Sequence, residues 1–254
     1  MEQVKHHYNK TASNIRKNDD VGKVARVHNW VKAMLIEKLC SPDDTIIDIG
    51  CGRGGDVKKY KHSKIQHIIG IDLSDKSLLE MKKRCEKESL TCELICADAC
   101  SVCLPTNVDG IVANFSLHYF FNGRENIIIP KIYNSLKYEG YFWGIVSNPK
   151  ILTNKSDLFS VDITEKNKQY TSYKFTLGNA VSECVESVIH TEKFEFVCNM
   201  SGFKTILIQN LHDFICENKN SPIKQFFKVC QTYPEVHSVY SIFVFQKKNM
   251  KHDE

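Results

Sequence analysis

The sequence predicts an α/β domain built on a mainly parallel sheet with helices on both faces. Three observations lead there: strand-like and helix-like segments alternate from Lys23 to Val146, the strand-like runs are short and almost unbroken in apolar character, and a glycine-rich turn follows the first of them. A strand buried on both faces reads as a continuous apolar run, and alternating β and α segments lay helices over a parallel sheet that binds ligands beyond its carboxyl edge.

From Lys23 to Leu39 the residues Val24, Val27, Val31, Met34, Leu35 and Leu39 recur at helical steps, which sets them on one face. Ser41-Pro42-Asp43-Asp44 ends that helix, and Thr45-Ile46-Ile47-Asp48-Ile49 forms the first strand. His67 to Asp72 and Thr91 to Cys96 are strands around a helix from Asp75 to Glu88. Asp109 to Asn114 and Tyr141 to Val146 add two more, separated by a helical segment that contains Pro130 and ends near Tyr138-Glu139-Gly140. After Asn148 the pattern gives way to a polar loop and a hairpin, Tyr173 to Leu177 and Val185 to His190 around Gly178-Asn179, which reads as an insertion over about 148–190. Phe203 to Gln209, a helix from Leu211 to about Cys230, and Val239 to Phe245 resume the sheet pattern. The chain thus reads as one domain over 1–254, with a polar arm at 1–22 and a polar tail at 247–254; the direction of the last strand stays open.

Of 254 residues, 25% are charged and 42% hydrophobic, with a net charge of +4. That balance supports one sizeable core and excludes a disordered chain or a small disulfide-stapled scaffold. No apolar run reaches the roughly 18–20 residues of a membrane helix, and the start, Met1-Glu2-Gln3-Val4-Lys5, lacks a signal-peptide core, so a soluble intracellular protein is expected. Eleven cysteines, an odd number, suit a reducing compartment. Cys92, Cys96, Cys100 and Cys103 are the candidate metal ligands, but they lack paired CxxC knuckles, and Cys92, Leu94 and Cys96 alternate as one face of a strand. Buried thiols are therefore expected in place of zinc.

The chemistry concentrates in Asp48-Ile49-Gly50-Cys51-Gly52-Arg53-Gly54-Gly55-Asp56, where the first strand turns toward a helix. Glycines there let the backbone approach a ligand, and Asp72, at the end of the next strand, can accept both hydroxyls of a ribose. Together they predict an adenosine-bearing ligand; the plainer alternative is a tight turn with a surface Asp. Gly50, Gly52 and Gly55 also satisfy the dinucleotide pattern of oxidoreductases. Asp48 favours another ligand, since a carboxylate two residues before the first glycine suits a cationic amino group better than a pyrophosphate. S-adenosylmethionine carries that amino group without a phosphate. The motif resembles the class I S-adenosylmethionine-dependent methyltransferases, a Rossmann-like fold whose seven-stranded mixed sheet has a reversed last strand, and seven core strand-like runs are present. Beyond the fourth strand, Asn114-Phe115-Ser116-Leu117-His118-Tyr119-Phe120-Phe121 supplies aromatic rings and a His, the means of holding an unpaired base; a helix start with a solvated His is the competing reading.

More specifically, the chain resembles the mRNA cap guanine-N7 methyltransferases over nearly its whole length. His28-Asn29-Trp30-Val31-Lys32, Ile47 to Asp56, Phe115 to Tyr119, Tyr173-Lys174-Phe175-Thr176-Leu177 leading to Glu186, and Val239 to Phe245 carry the resemblance. It implies S-adenosylmethionine as cofactor, S-adenosylhomocysteine as product and a GpppN-capped RNA as acceptor. Lys32, Asp48 and Gly50 would hold the methionine part, Asp72 the ribose, and Asp98 with Ala99 the adenine, with Asn114 also on the cofactor side. His118, Tyr119, Glu186 and Tyr240 would contact guanine beside Phe115, while Arg53 and Arg84 would face the cap phosphates. His28 and Asn29 occupy the family's paired-Asn position, with His28 replacing the first, and a Pro usual just after the fifth strand gives way to Ser147 and Asn148. No acid or base is implied, because guanine N7 loses no proton. Lys58, Lys59, Lys61, Lys64, Lys82 and Lys83 read either as an RNA-facing patch or as solvated helix faces. The resemblance also implies a nuclear location beside other capping enzymes and the transcription machinery, and a monomer is expected. The alternatives are a methyltransferase for a small molecule or protein, and a noncatalytic subunit that binds cap or cofactor.

Overall fold

The structure, a computed structural model, describes residues 20–166, 170–178, 181–219 and 233–248. Most of the expected arm, Asn179 of the hairpin turn, the later part of the helix expected to reach Cys230, and most of the tail lie outside the described residues.

Helix α1 (Asp20–Leu39) precedes β1 (Thr45–Ile49), α2 (Val57–His62), β2 (His67–Asp72), α3 (Asp75–Glu88), β3 (Thr91–Cys96) and β4 (Val108–Asn114). A short 3-10 turn (Leu117–Tyr119) leads to α4 (Glu125–Ser135) and β5 (Leu136–Ser147). Then come β6 (Phe159–Lys166), β7 (Thr171–Leu177), β8 (Val181–Ser187), α5 (Thr191–Met200), β9 (Phe203–Asn210), α6 (Leu211–Glu217), α7 (Pro234–Ser238) and β10 (Tyr240–Lys247). Local signals set several ends. Ser74 caps α3 by accepting from the Ser77 N–H at 3.1 Å, and Ser89 closes it in the left-handed conformation.

Seven strands form the main sheet in the order β3-β2-β1-β4-β5-β10-β9. β1 pairs in parallel with β2 and β4, and β4 with β5, whereas β10 runs antiparallel to both β5 and β9. The reversed last strand is therefore present. It was not readable in the sequence because an apolar strand buried on both sides has the same pattern in either direction.

Alternate residues of the central strands feed two cores. Ile46 packs with Trp30 and Val31 of α1, Tyr60 of α2 and Met81 of α3, while Ile47 and Ile49 pack with Ile128, Ile129 and Ile132 of α4. On the second face an aromatic group, Phe142, Phe194, Phe203, Phe243 and Phe245, locks β5, β9 and β10 under α5, with ring pairs edge to face at 4.9–5.1 Å. Gly144 of β5 lies opposite Phe243 because a side chain there would strike the Ala113 backbone.

Several expectations need correction. α1 starts at Asp20 and buries Val21, so the arm is shorter than 1–22, and Lys247 ends β10 rather than starting a tail, its Nζ donating to the Leu136 carbonyl at 2.7 Å. α4 keeps Pro130 inside it but stops at Ser135; Leu136 is already extended and pairs with Val108, so the segment expected to be helical up to Gly140 opens β5. The insertion is a three-stranded antiparallel sheet, β6-β7-β8, and the third strand covers Val181–Ser187 in place of 185–190. β6 was missed because it is an outer strand exposed over most of its length, and its short alternation, Phe159, Val161 and Ile163, lies inside a polar stretch. α5 was likewise missed, having only Phe194 and Cys198 fully buried.

Phe243 is fully buried among these rings. Phe243→Ala is expected to lower unfolding free energy by about 3–5 kcal/mol, read as a lower urea midpoint with an unchanged slope.

Candidate active site

The carboxyl ends of β1, β2, β3 and β4 meet at a cavity of about 240 Å³. Gly50 and Gly52 form its floor, Asp72, Asp98 and Ala99 one wall, and Asn114, Phe115 and Tyr119 the other. Gly50 has φ +73°, and a Cβ on it would lie 2.9 Å from Ser116 Oγ and closer still to Ser116 Cβ. Ser116 Oγ donates to the Ile49 carbonyl at 2.6 Å and the Gly50 N–H donates to Ile71 at 2.7 Å, so the turn is clamped between β2 and the segment after β4. Phe115, next to that clamp, is held at φ +55°, a conformation costing a non-glycine residue roughly 1–2 kcal/mol.

Asp72 accepts from the Gly52 N–H at 2.9 Å and the Ser74 N–H at 2.8 Å. Burial raises its pKa against those two hydrogen bonds. Asp98 is ion-paired with Arg124, whose guanidinium also lies 5.6 Å from the Phe120 ring centre. The cavity suits an adenosine-bearing ligand on its own features: a glycine floor that a side chain would fill, two carboxylates at successive strand ends, and the buried Asn114 Oδ1 with no hydrogen-bond partner.

Lys32 and Asp48 do not line the cavity; they belong to a buried charge cluster joined to it through Asn114. Asp48 is 4% exposed and accepts from the Tyr60 O–H at 2.8 Å. Burial, and then the nearby Asp56, raise its pKa to about 7. For Asp56, burial is outweighed by Lys32 and Lys59, each 2.7 Å away, which hold it down to about 2. Asn114 Nδ2 donates to Asp56 at 3.4 Å. The sequence did not single out Asp56, Lys59 and Tyr60 for this cluster, although Asp56 ends the glycine-rich turn and Lys59 and Tyr60 follow it one helical turn on. Lys59 is correspondingly not part of a solvated lysine face, its side chain being only 14% exposed.

Beside the cavity lies a second buried group. Phe115 meets both His28 and Tyr240 at 5.2 Å between ring centres, and His28 meets Tyr240 at the same distance. Glu186 of β8 is buried and accepts from the Tyr173 O–H at 2.8 Å, with its other oxygen 3.5 Å from His118 Nε2. Burial lowers the pKa of His118 while Glu186 pulls it back; burial, with His237 and Lys32, lowers that of His28 further. Both ring nitrogens of His118 and Nε2 of His28 are buried without hydrogen bonds. Such atoms cost about 1–3 kcal/mol each while they stay unpaired.

The structure thus unites Phe115, His118, Tyr119, Glu186, Tyr240 and His28. It does not bring in Asn29, which is exposed and accepts from Lys59 at 2.9 Å. Arg84 lies on α3, ion-paired with Glu80 at 3.3 Å, and Arg53 is half-buried in the glycine turn; neither lines the cavity. Tyr173, Ser116 and Arg124 act at the site without having been singled out for it, since each works through a partner distant in sequence. Cys92 is half-buried, Cys100 buried, and Cys96 and Cys103 exposed, so the expectation of buried thiols fails for the last two. Among the described residues no group of three or more His, Cys, Asp or Glu side chains could hold a metal ion, and no helix is long and apolar enough to cross a membrane.

The family model for the mRNA (guanine-N(7))-methyltransferase domain matches residues 1–249. The chain belongs to this family. Over 195 residues it is 30% identical to the mRNA cap guanine-N(7) methyltransferase of Saccharomyces cerevisiae, covering 69% of this chain and 45% of that protein. It spans 32% of the length of a Cryptococcus neoformans relative of the same description and 66% of one from Oryza sativa. In three dimensions it resembles an S-adenosylmethionine-dependent methyltransferase from Clostridium acetobutylicum, at 16% identity and a TM-score of 0.59 over 98% of this chain and 99% of the other. The geranyl diphosphate C-methyltransferase of Streptomyces coelicolor, solved with S-adenosyl-L-homocysteine, gives a TM-score of 0.60 at 13% identity, covering 98% and 97%. The fold is that of the class I methyltransferases.

Two outcomes follow for this family member. Gly50→Ala is expected to abolish measurable S-adenosylmethionine binding by calorimetry, and Ser116→Gly added to it to restore part of the affinity, because the second change removes the struck atoms but not the backbone strain. For Asp48, the folded protein binds more protons than the unfolded chain between about pH 4 and about 7, so ionisation costs stability progressively over that window and fully above it. Asp48→Asn is accordingly expected to raise the melting temperature at pH 8, to lose that advantage near pH 4, and to weaken cofactor binding.

Proposed function

We propose that the protein transfers a methyl group from S-adenosylmethionine to N7 of the guanine in GpppN-capped RNA, by positioning and electrostatics with no general base. The observation that carries this is the buried Tyr173–Glu186–His118 set beside Phe115 and Tyr240, adjoining the glycine-floored cavity, in a chain of this family.

Gly50, Asp72, Asp98, Ala99 and Asn114 would hold the cofactor's nucleoside side, and Lys32 and Asp48 its amino-acid end. When bound, S-adenosylmethionine supplies an electrophilic methyl group on a sulfonium and leaves as S-adenosylhomocysteine. Guanine N7 presents a lone pair in the ring plane and releases no proton. The side chains therefore have to aim and to stabilise charge. Phe115, Tyr119 and Tyr240 would bound the guanine plane, and Glu186 would accept from its N1–H and exocyclic amine. Tyr173 fixes one Glu186 oxygen, which leaves the other turned toward His118. As positive charge grows on the purine, a carboxylate held at its edge in a buried site stabilises it. Alignment of reacting atoms supplies up to roughly 7–11 kcal/mol in favourable cases, and the aromatic walls add about 0.5–2 kcal/mol where a cation faces them. His28 stands where the family has Asn and brings a neutral, buried ring to the same wall. Arg53 and Arg84 would face the cap phosphates. A nuclear protein working as a monomer beside other capping enzymes and the transcription machinery fits this reading.

The test is transfer of labelled methyl from S-adenosylmethionine to short GpppN-capped RNA, with nuclease digestion to locate the label and triphosphate RNA as control. Label on cap N7 alone supports the reading; cofactor binding without transfer to capped RNA would overturn it. Glu186→Ala is expected to reduce kcat/KM by about 100-fold or more, the scale of losing an electrostatic stabiliser, while cofactor affinity stays within about twofold. An equal loss in both would mean that Glu186 supports the fold rather than the guanine.

A further inference from the structure

Outside the cofactor cavity, the glycine turn faces a second depression, an open groove of about 440 Å³ between α2 and α3. Gly54 and Gly55 form part of its lining, with Lys58 on α2 and Lys83, Arg84 and Lys87 on α3. We propose that this groove carries the first phosphodiester linkages of the RNA beyond the cap. The inference rests on the cap reading above and extends it to the acceptor's chain.

Continuity is the first argument. Gly52 lines the cofactor cavity, Gly54 and Gly55 line the groove, and Arg53 lies between them, so one turn separates the two spaces. Arg84, which the cap reading assigns to the bridging phosphates, itself lines the groove. A triphosphate held at Arg53 and Arg84 therefore delivers its far end, and the nucleotide attached there, to the head of the groove.

Charge is the second. Four cations line the groove against two carboxylates, and both carboxylates are engaged, Glu80 with Arg84 at 3.3 Å and Glu88 with Lys58 at 3.9 Å. Lys83 and Lys87 are exposed and carry no ion pair among the described residues. Spaced four residues apart, they stand one above the other on the same helix face, about 6 Å along the axis, a step of the same order as that between neighbouring phosphates of an extended strand. A Cβ on Gly55 would meet nothing within 4 Å, so the lining is open to a backbone as bulky as a ribose-phosphate chain.

Composition is the third. The groove has no aromatic ring, and Val57 is its single apolar side chain. Proteins that grip single strands by their bases do so on aromatic platforms; a lysine-lined channel without them reads the backbone, so the contact is indifferent to sequence and sensitive to salt.

The experiment compares KM for the GpppG dinucleotide with KM for two capped 20-nucleotide RNAs of unrelated sequence, at several salt concentrations, in the parent protein and in Lys83→Glu/Lys87→Glu. Both substitutions lie on an exposed helix face, and a circular-dichroism melt checks that the fold is retained. Expected is a parent KM lower for both 20-mers than for the dinucleotide. In the variant the 20-mer KM rises about tenfold at low salt and its salt slope falls by roughly 0.7 per lysine removed, with the dinucleotide KM within about twofold of the parent's. An unchanged 20-mer KM in the variant overturns the groove assignment, as does a parent that turns over dinucleotide and 20-mers with equal KM. A parent that methylates none of the three substrates overturns the cap reading itself, which separates the two failures.

Discussion

At Gly50 the turn after β1 lies so close to Ser116 that no side chain fits between them, and the Ser116 hydroxyl seals the contact by donating to the Ile49 carbonyl. Two central strands are thereby fastened together at their carboxyl ends, beyond the reach of the sheet's own hydrogen bonds. The fastening has a directional result. Next to Ser116, which is tied to β1, the backbone at Phe115 stands in the left-handed region, and its ring faces His28 and Tyr240. The floor of the cofactor cavity and the neighbouring buried aromatic group are thus two ends of one contact.

Around that contact the protein buries charge unevenly. Asp48 and Asp56 sit close together with Lys32 and Lys59, yet both lysines pair directly with Asp56 while Asp48 accepts from a tyrosine hydroxyl and, among the described residues, forms no ion pair. The arrangement leaves one acid strongly favoured as an anion and the other poised near neutrality. A cationic group arriving beside Asp48 would relieve a cost already stored in the fold, so part of the ligand's affinity is set before it binds. The second buried group is arranged in the opposite sense: its histidines are kept neutral by burial, and neutral rings can each present one donor and one acceptor nitrogen.

How much of this was legible in the residues depended on the kind of signal. The central strands of the main sheet were readable because burial on two faces leaves mostly apolar side chains, as in His67–Asp72, while the half-exposed edge strand Thr91–Cys96 was readable from its alternation; both have the bounds expected. β6 was not, because Phe159–Lys166 lies outermost in a small sheet and shows water most of its side chains. In the site, the glycine turn and Asp72 could be read because their chemistry is local. Tyr173 could not: its function lies in a hydrogen bond to Glu186 across a strand pair, and the opposed positions, Tyr173 against Glu186, appear only once the register is known. Lysines divided in the same way. Lys59 and Lys83 look alike along the chain, but one closes on a buried carboxylate and the other faces an open groove.

The antiparallel placement of β10 has a temporal meaning as well as a spatial one. Because it runs against its neighbours, its first residue, Tyr240, arrives at the edge where β1 to β5 end and stands opposite Ser147. Wedged between β5 and β9, the same strand joins both halves of the aromatic core. On a ribosome, His28, β1 to β4 and the cofactor floor emerge early, but Tyr240, the other ring that meets Phe115, is supplied about 125 residues after it. The residues of the glycine-floored cavity are therefore synthesised well before Tyr240, and the aromatic group around Phe115 stays incomplete until translation has nearly run through the domain.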